Sequence, residues 1–415
     1  MSNDSSSGPL RVIGLQWSPA THEVKDFLAR SRVPYLWMDL ETSAAGRDRV
    51  ADLGIANRDL PLVIFPDGTH IAGPTDQEIA EKVGLSTEAQ WPFYDLVVVG
   101  AGPAGLAAAI YAGSEGVRTI LIDADAPGGQ AGQSARIENF IGFPAGLSGN
   151  ELAQRAVEQA RRFEVEIVAA RSVTGLRVED PFRVVQLDDD RELYCHAVLL
   201  ATGVNWRTLD APGCQALVGA GVYYGAASAE TSAVRDQDVY LLGGGNSAGQ
   251  AAMHLARFAR SVTMLVLEES IEENMSQYLL ERIEQAANIH VRSCCTVATA
   301  AGETRLERLT IENVNTRESE EVPASCLFVF IGASPETDWL EGAVARDEQG
   351  FILTGAAAVA GREWPAERDP RSLETSIPGV FAAGDVRADS VKRIGAAVGD
   401  GATAVQLIHE WLAER

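Results

Sequence analysis

The sequence contains no CxxC pair, no apolar run of the roughly 18 residues that a bilayer span needs, and few positive charges. Lys and Arg number 34 against 58 Asp and Glu, a formal charge of −24. A chain so acidic repels phosphate backbones and anionic lipid, so neither nucleic acid nor membrane is expected as a partner. The five cysteines (Cys195, Cys214, Cys294, Cys295 and Cys326) are odd in number, which argues against a secreted disulfide framework. Cys294 and Cys295 lie in NIHVRSCCTV, read as a strand with one thiol buried and its neighbour half-exposed. The opening MSNDSSSGP has neither a basic n-region nor an apolar h-region, so residues 1–8 read as a loose tail and the cytoplasm is the expected compartment. What remains is ordinary globular material, 46% hydrophobic and 22% charged over 415 residues, enough for two or three cores.

From residue 9 to 84 the pattern runs βαβαββα: strands in LRVIGLQW and VPYLWMDL, helices in ATHEVKDFLARSR and around GRDRVADLG, then LPLVIFPDG, THIAG and a closing helix in TDQEIAEKVGL. This stretch resembles a glutaredoxin or thioredoxin-like domain. The resemblance implies a CxxC at the start of the first helix, and a cis proline facing it at Pro61. Here the helix starts with WSPATH, without sulfur, which excludes dithiol exchange there. The groove is expected to persist as a docking surface, with His22 as an ordinary surface residue. Residues 85–93 read as a linker.

From Tyr94 the signal changes. YDLVVVGAGPAGLAAAIYAGSEGVRTILIDAD is strand, Gly-x-Gly-x-x-Gly, helix, strand, acid. Gly100 permits the tight turn, Gly102 the approach of a pyrophosphate, and Gly105 the close packing of helix on strand, while Asp123 is placed for a ribose hydroxyl. DVYLLGGGNSAGQAAMHLARFARSVTMLVLEES repeats the pattern, with Gly243, Gly245 and Ala248 in the motif positions, Asn246 and Ser247 between them, and Glu268 at the end of the second strand. A carboxylate there accepts a hydrogen bond from a free 2′-hydroxyl and repels a 2′-phosphate.

GAGPAG, GGQ, ENF, ATG, GGGNSA, FVFIGASP and AAGDV follow in an order that resembles the FAD-dependent pyridine nucleotide-disulfide oxidoreductases, specifically the low-molecular-weight thioredoxin reductases. The resemblance runs from Tyr94 to the C-terminus. It implies an α/β architecture of two Rossmann-like three-layer domains after the thioredoxin-like one: a discontinuous FAD-binding domain, residues 94–216 and 334–415, interrupted by an NAD(H)-type domain, 217–333. It also implies a homodimer. Carried over, Gly100, Gly102, Gly105 and Asp123 hold FAD, Gly129, Gln130 and Asn139 line the flavin side, Thr202 and Gly203 close over it, and Asp385 meets the ribityl chain. Lys392, Arg393 and Ile394 fall where the family's last segment, usually Arg-Gln-Ala, reaches the isoalloxazine.

Two departures limit the function. The family's catalytic CxxC falls in GVYYGAASAE, where Gly225 and Ser228 occupy the cysteine positions and cannot form a disulfide. The His-Arg-Arg run that neutralises the NADPH phosphate is replaced by Val266, Leu267 and Glu268, so the second ligand is expected to be NADH or a second FAD. Tyr223 and Tyr224 either pack at the domain interface near the flavin or point to opposite faces of a strand. The leading expectation is an FAD oxidoreductase serving a nonthiol acceptor, such as a ferredoxin- or flavodoxin-type carrier. The others are a flavin-bearing sensor or docking protein, and a thioredoxin reductase using other cysteines.

Overall fold

A computed structural model describes residues 9–31, 33–134, 136–224 and 234–414. The N-terminal module is built from β1 (Leu10–Gly14), α1 (Pro19–Arg30), β2 (Tyr35–Asp39), α2 (Ala44–Asp52), β3 (Leu62–Ile64) and β4 (His70–Ala72), and α3 (Asp76–Val83) follows it in the chain. Its sheet has the order β2-β1-β3-β4, with β1 parallel to β2 and antiparallel to β3. Alternate apolar side chains put Ile13, Leu62 and Ile64 in one core with Leu40, Val50 and Leu60. The Leu60-Pro61 peptide bond is cis.

The remaining elements are β5 (Phe93–Val99), α4 (Pro103–Ser114), β6 (Thr119–Ile122), α5 (Gly129–Gly132), α6 (Gly149–Arg162), β7 (Glu166–Val168), β8 (Val173–Glu179), β9 (Phe182–Leu187), β10 (Glu192–Leu200), β11 (Val204–Trp206), β12 (Val222–Tyr224), β13 (Asp238–Leu242), α7 (Asn246–Leu255), β14 (Ser261–Leu265), α8 (Gln277–Gln285), β15 (Ile289–Arg292), β16 (Cys295–Ala301), β17 (Arg308–Asn313), β18 (Ser319–Pro323), β19 (Cys326–Val329), β20 (Ala333–Pro335), α9 (Ala356–Val359), β21 (Val380–Ala382) and α10 (Ile394–Ala413). The chain divides into two compact units. One holds residues 1–75, 134–136 and 206–332, and the other holds 76–133, 137–205 and 333–415.

In the second of these units the main sheet has the order β7-β6-β5-β10-β9-β8, with β21 also paired to β10. β5 ends in a continuous apolar run, Leu96–Val99, because both faces are covered there: Leu96 and Val98 join the core shared with α4 and α10, while Val97 and Val99 join the opposite one. α4 is apolar almost all round and correspondingly buried. α6 shows only one apolar stripe, burying Ala153 and Ala160 and exposing its charges. β10 forks: residues 192–195 pair with antiparallel β9, and residues 198–200 pair with parallel β21. That fork brings a strand from nearly 200 residues further along the chain beside β10, in line with β5 on its other edge.

In the first unit a parallel sheet has the order β12-β19-β13-β14-β15, accompanied by the antiparallel sheet β16-β17-β18. NIHVRSCCTV differs from the single strand expected. β15 stops at Arg292 and β16 begins at Cys295, with Cys294 in a turn at φ 55°. The turn is fixed by Cys294 N–H donating to the Glu268 carbonyl and Cys295 N–H donating to that of Val266, 3.1 and 2.8 Å away. Cys295 is buried and Cys294 half-buried. Among the described residues no helix is long and apolar enough to cross a membrane.

Candidate functional site

The glycine loop after β5 is held by its own backbone. A Cβ on Gly100, at φ 102°, would lie 2.3 Å from the Ala201 carbonyl oxygen, and one on Gly105 would lie 1.9 Å from that of Gly100. Neither position admits a side chain. Gly102, the N-cap of α4 at φ −72°, is different: a Cβ there meets no atom within 4 Å, so the space outside it is open. Asp123, at the end of β6, accepts from Ala101 N–H at 2.6 Å and from Asp125 N–H at 3.0 Å.

Other segments converge on this loop. Gly128 N–H donates to the Ala101 carbonyl at 2.8 Å, and a Cβ on Gly129 would lie 3.0 Å from Gly102 Cα. Gln130 Nε2 donates to Asn205 Oδ1 at 3.5 Å, Asn205 in turn donates to Glu336, and Thr202 Oγ1 donates to the Glu336 carbonyl at 3.1 Å. Gln130 Oε1 is buried with no hydrogen-bond partner among the described residues. Such an orphan acceptor fits a donor supplied by a bound group. Gly203 sits at φ 69° with open space at its Cβ position. Gly384 approaches from the far side of α4, where a Cβ would lie 2.9 Å from that of Ala104 and 3.5 Å from that of Ala397. Asp385 is half-buried beside it, and burial pushes its carboxyl upward from the ordinary carboxylate range. Its loop is tied down by Asp400, which accepts from Gly384 N–H and Arg387 Nε, both at 3.1 Å.

Thus Gly100, Gly102, Gly105, Asp123, Gly129, Gln130, Thr202, Gly203 and Asp385 lie on segments gathered around the start of α4. Asn139 stands apart: it is exposed, two residues past the Ile137–Leu147 bridge. Lys392, at φ 53°, turns back over the Phe351 ring, 4.0 Å from its centroid, and donates to the Asp385 carbonyl and to Ser390 Oγ. Arg393 is the exposed N-cap of α10, and Ile394 is its first residue. Sequence reasoning missed Asn205, Glu336, Gly384 and Ala397. Only Gly384, in AAGDV, carried a local signal.

The loop after β13 repeats the geometry. A Cβ on Gly243 would lie 2.5 Å from the Phe330 carbonyl oxygen, whereas one on Gly245, the N-cap of α7, would find nothing nearer than 3.9 Å. Asn246 Oδ1 accepts from Ser276 N–H at 2.8 Å, Ser247 is exposed and Ala248 is buried. Glu268, expected at the strand end, is exposed three residues beyond β14, which stops at Leu265. Its Oε2 lies 3.5 Å from where a Gly244 Cβ would stand, and its Oε1 accepts weakly from Asn274 Nδ2 at 3.5 Å. The carboxylate therefore overhangs the glycine loop with acceptor capacity to spare.

Tyr223 and Tyr224 point to opposite faces of β12. Tyr223 is buried against Phe328, centroids 5.2 Å apart, while the Tyr224 hydroxyl accepts from Leu209 N–H at 2.9 Å in a separate core. His22, expected on the surface, is half-buried with its ring 5.5 Å from that of Tyr223. Gly225 and Ser228 lie outside the described residues. Cys195 and Cys214 are buried, and burial pushes both thiols up, away from thiolate chemistry. No group of three or more His, Cys, Asp or Glu suited to a metal occurs among the described residues.

Two glycine loops of this geometry, each at the end of a parallel strand and each opening a helix, match a family model described as pyridine nucleotide-disulphide oxidoreductase over residues 94–401. The chain belongs to that family. It is an oxidoreductase, a thioredoxin reductase-like flavoprotein whose family implies FAD and NAD(P)H. The chain is 32% identical to the thioredoxin reductase of Mycolicibacterium smegmatis over 78% of its own length and 97% of the relative's. It is 31% identical to an alkyl hydroperoxide reductase component from Staphylococcus epidermidis over 82% of its own length, but spans only 64% of that protein. It is 33% identical to an NADH dehydrogenase of Bacillus subtilis over 80% of its own length and 62% of that chain. Among solved structures, thioredoxin reductase of Lactococcus lactis superposes with a TM-score of 0.71 at 30% identity, covering 78% of this chain and all of the other. The open Gly102 cradle, the orphan Gln130 acceptor and the doubly anchored Asp123 fit FAD.

Proposed function

We propose that this oxidoreductase takes electrons from NADH through FAD and delivers them to a nonthiol acceptor, a ferredoxin- or flavodoxin-type carrier being favoured. FAD supplies the exchange between hydride and single-electron chemistry. The chain's residues bind and orient. Gly100, Gly102 and the start of α4 would seat the pyrophosphate, Asp123 the adenosine ribose, Gly129, Gln130, Asn139, Thr202 and Gly203 the flavin side, and Asp385 the ribityl chain. The backbone of Lys392, Arg393 and Ile394 would border the ring. Gly243, Gly245, Asn246, Ser247 and Ala248 would cradle the second dinucleotide.

The observation that carries the donor assignment is Glu268 above Gly244. It is a carboxylate with free acceptor capacity where a 2′-phosphate would otherwise lie, and Leu267, not a cation, is beside it. The acceptor assignment rests on Gly225 and Ser228 replacing the family's cysteines, with the remaining thiols buried or isolated. We further infer a homodimer, a thioredoxin-like module at residues 9–84, a linker at 85–93, and an FAD domain, 94–216 with 334–415, split by the NAD(H)-type domain at 217–333.

Two measurements on purified protein test this: flavin content per chain, and bleaching under anaerobic conditions. One flavin per chain, bleached rapidly by NADH and slowly by NADPH, is expected. Two flavins per chain would make the second site a permanent cofactor site. No bleaching by either nucleotide would remove the donor assignment, and steady-state NADH oxidation no faster than free flavin would favour a sensor.

A further inference from the structure

The helix start that has lost its sulfur is covered in part: Thr21 is buried, Trp17, Ser18 and His22 are half-buried, and Pro19 keeps an exposed edge. Ser18 and Thr21 stand at the spacing of a CxxC, Ser18 as the N-cap of α1 with its Oγ accepting from Thr21 N–H at 3.5 Å. Thr21 is fully buried, its Oγ1 2.6 Å from where a Gly14 Cβ would stand, and that Cβ would lie 3.3 Å from Pro61 Cβ. Around this helix start, three neighbouring side chains reach the parallel sheet of the same compact unit. Trp17 packs against the core containing Tyr223, Val239 and Phe328, with the Arg305 guanidinium 5.5 Å from its ring centroid. His22 meets the Tyr223 ring at 5.5 Å. Pro19 approaches the turn before β12 so closely that a Cβ on Gly219 would lie 2.7 Å from Pro19 Cα.

That turn is stiff. Gly219 N–H donates to the Val222 carbonyl at 2.9 Å and Leu306 N–H to that of Ala220 at 2.8 Å, so Gly219 at φ 76° presents bare backbone to Pro19. The contact is a cation-capped seat of tilted rings with a glycine cleared for it, formed between the start of α1 and the strand that leads into residues 225–233.

We propose that the N-terminal module is the resident occupant of this face of the second dinucleotide-binding domain. It is a fixed partner, not a carrier that docks and leaves. The surface that a dithiol protein would need at the start of α1 is taken up by Trp17, Pro19 and His22 against Tyr223, Gly219 and Arg305. External partners are thereby kept from Thr21 and Tyr223, and meet the helix start only along the exposed edge of Pro19. The seat stands whether or not NADH is the donor, because it is read from contacts outside both glycine loops.

The test is a disulfide across the seat, made in the full-length flavoprotein. A Cβ on Gly219 would lie 3.5 Å from that of His22, at the near edge of the range of about 3.5–4.5 Å that disulfides span. Pro19 Cα, 2.7 Å from the same position, must give way slightly to admit that Cβ. With His22→Cys and Gly219→Cys together, mild oxidation is expected to cross-link most chains, as read by peptide mapping. The cross-linked protein is expected to keep its NADH turnover within about twofold, because a resident module need not move. A folded, flavin-bearing double variant that fails to cross-link would overturn the proposal, as would a cross-linked protein that loses turnover tenfold or more. Gly219→Val supplies a second arm without thiols. By pushing Pro19 away it is expected to raise hydroxyl-radical labelling of Trp17 several-fold, and unchanged labelling would also overturn the seat.

Discussion

Reversal of charge at residue 268 puts the donor assignment at risk in a way that can be calculated. Glu268 is exposed and overhangs the second glycine loop. Two unit charges about 4 Å apart interact by ~1 kcal/mol when water dominates the dielectric, so a doubly charged 2′-phosphate would be repelled by ~2 kcal/mol. NADPH also lacks the 2′-hydroxyl that would donate to the carboxylate, a charge-assisted hydrogen bond worth about 1.5–3 kcal/mol. Together these favour NADH by ~3.5–5 kcal/mol, or roughly 300- to 4,000-fold in affinity. Glu268→Gln keeps an acceptor but removes the charge, so the preference should fall about 30-fold. Glu268→Arg replaces repulsion with attraction and should bring the two nucleotides to near parity or invert them. The assay is anaerobic titration of flavin bleaching with each nucleotide at fixed ionic strength, since salt weakens the charge term but not the hydrogen bond. Leu267→Ala, which changes an exposed apolar neighbour, should move both affinities together. A parent protein that binds NADPH as tightly as NADH, or a Glu268→Gln ratio equal to the parent's, would refute the reasoning.

Gly102→Val should fold as the parent does, because its φ is ordinary and its Cβ position is open, yet should lose flavin by filling the cradle; retained flavin absorbance would count against the cradle. Gly245→Val should likewise leave flavin bound while abolishing bleaching by NADH, measured in the same titration. Glu374 is fully buried and takes two 2.7 Å hydrogen bonds from Arg368, with Gly379 N–H at 2.9 Å and Arg371 N–H at 3.0 Å. Glu374→Gln removes the buried carboxylate and leaves Arg368 only the exposed Glu414, 3.2 Å from its Nε, so it should cost about 3 kcal/mol in denaturant unfolding; a loss below about 1 kcal/mol would show that the pair is not insulated from water. For Asp385 the folded carboxyl titrates above its unfolded value because burial disfavours its charge. Its stabilising contribution is therefore present below the unfolded value and lost as pH rises through the folded one. Flavin-free Asp385→Asn should accordingly melt higher than the parent at pH 7 to 8, with the gap closing toward pH 4; a gap that widened in acid would reverse the assignment.

What is legible in the sequence is local. Gly100, Gly105 and Gly243 announce themselves because a tight turn and a close helix approach admit no side chain, and β5 announces itself because burial on both faces leaves no polar position from Leu96 to Val99. Asp123 follows from its place directly after β6, whereas β14 stops at Leu265, three residues short of Glu268. The fork of β10 leaves no such trace: its pairing with β21 joins Val198 to Val380, and no period in either segment records it. The relay of Gln130, Asn205 and Glu336 spans three separate stretches in the same way. The vicinal cysteines read as one strand because β-propensity runs through Arg292 and Thr296 alike. The break at Cys294 comes from backbone hydrogen bonds to Val266 and Glu268, which a single-sequence pattern cannot contain. His22 reads as a surface residue for a related reason, since its partner Tyr223 lies 201 positions away.

Those last two residues also bear on why two sulfur centres are missing from one chain. Considered separately, the loss at Ser18 and Thr21 and the loss at Gly225 and Ser228 are two coincidences. His22 follows Thr21 directly, Tyr223 lies two positions before Gly225, and the two rings are 5.5 Å apart. A dithiol at the start of α1 is useful only while that helix can meet changing partners. Once it is seated on Tyr223 and Gly219, a thiol at Ser18 would be a liability for trapped disulfides and would exchange with nothing. The same seat removes the visiting partner that cysteines at 225 and 228 would serve. A single event, the fixing of the module, therefore relieves the need for sulfur on both sides. On the proposed reading the flavin and the second glycine loop are the parts still required to work, so restoring cysteines at positions 18, 21, 225 and 228 should not by itself restore thioredoxin reduction by the purified protein while Gly219 remains a glycine.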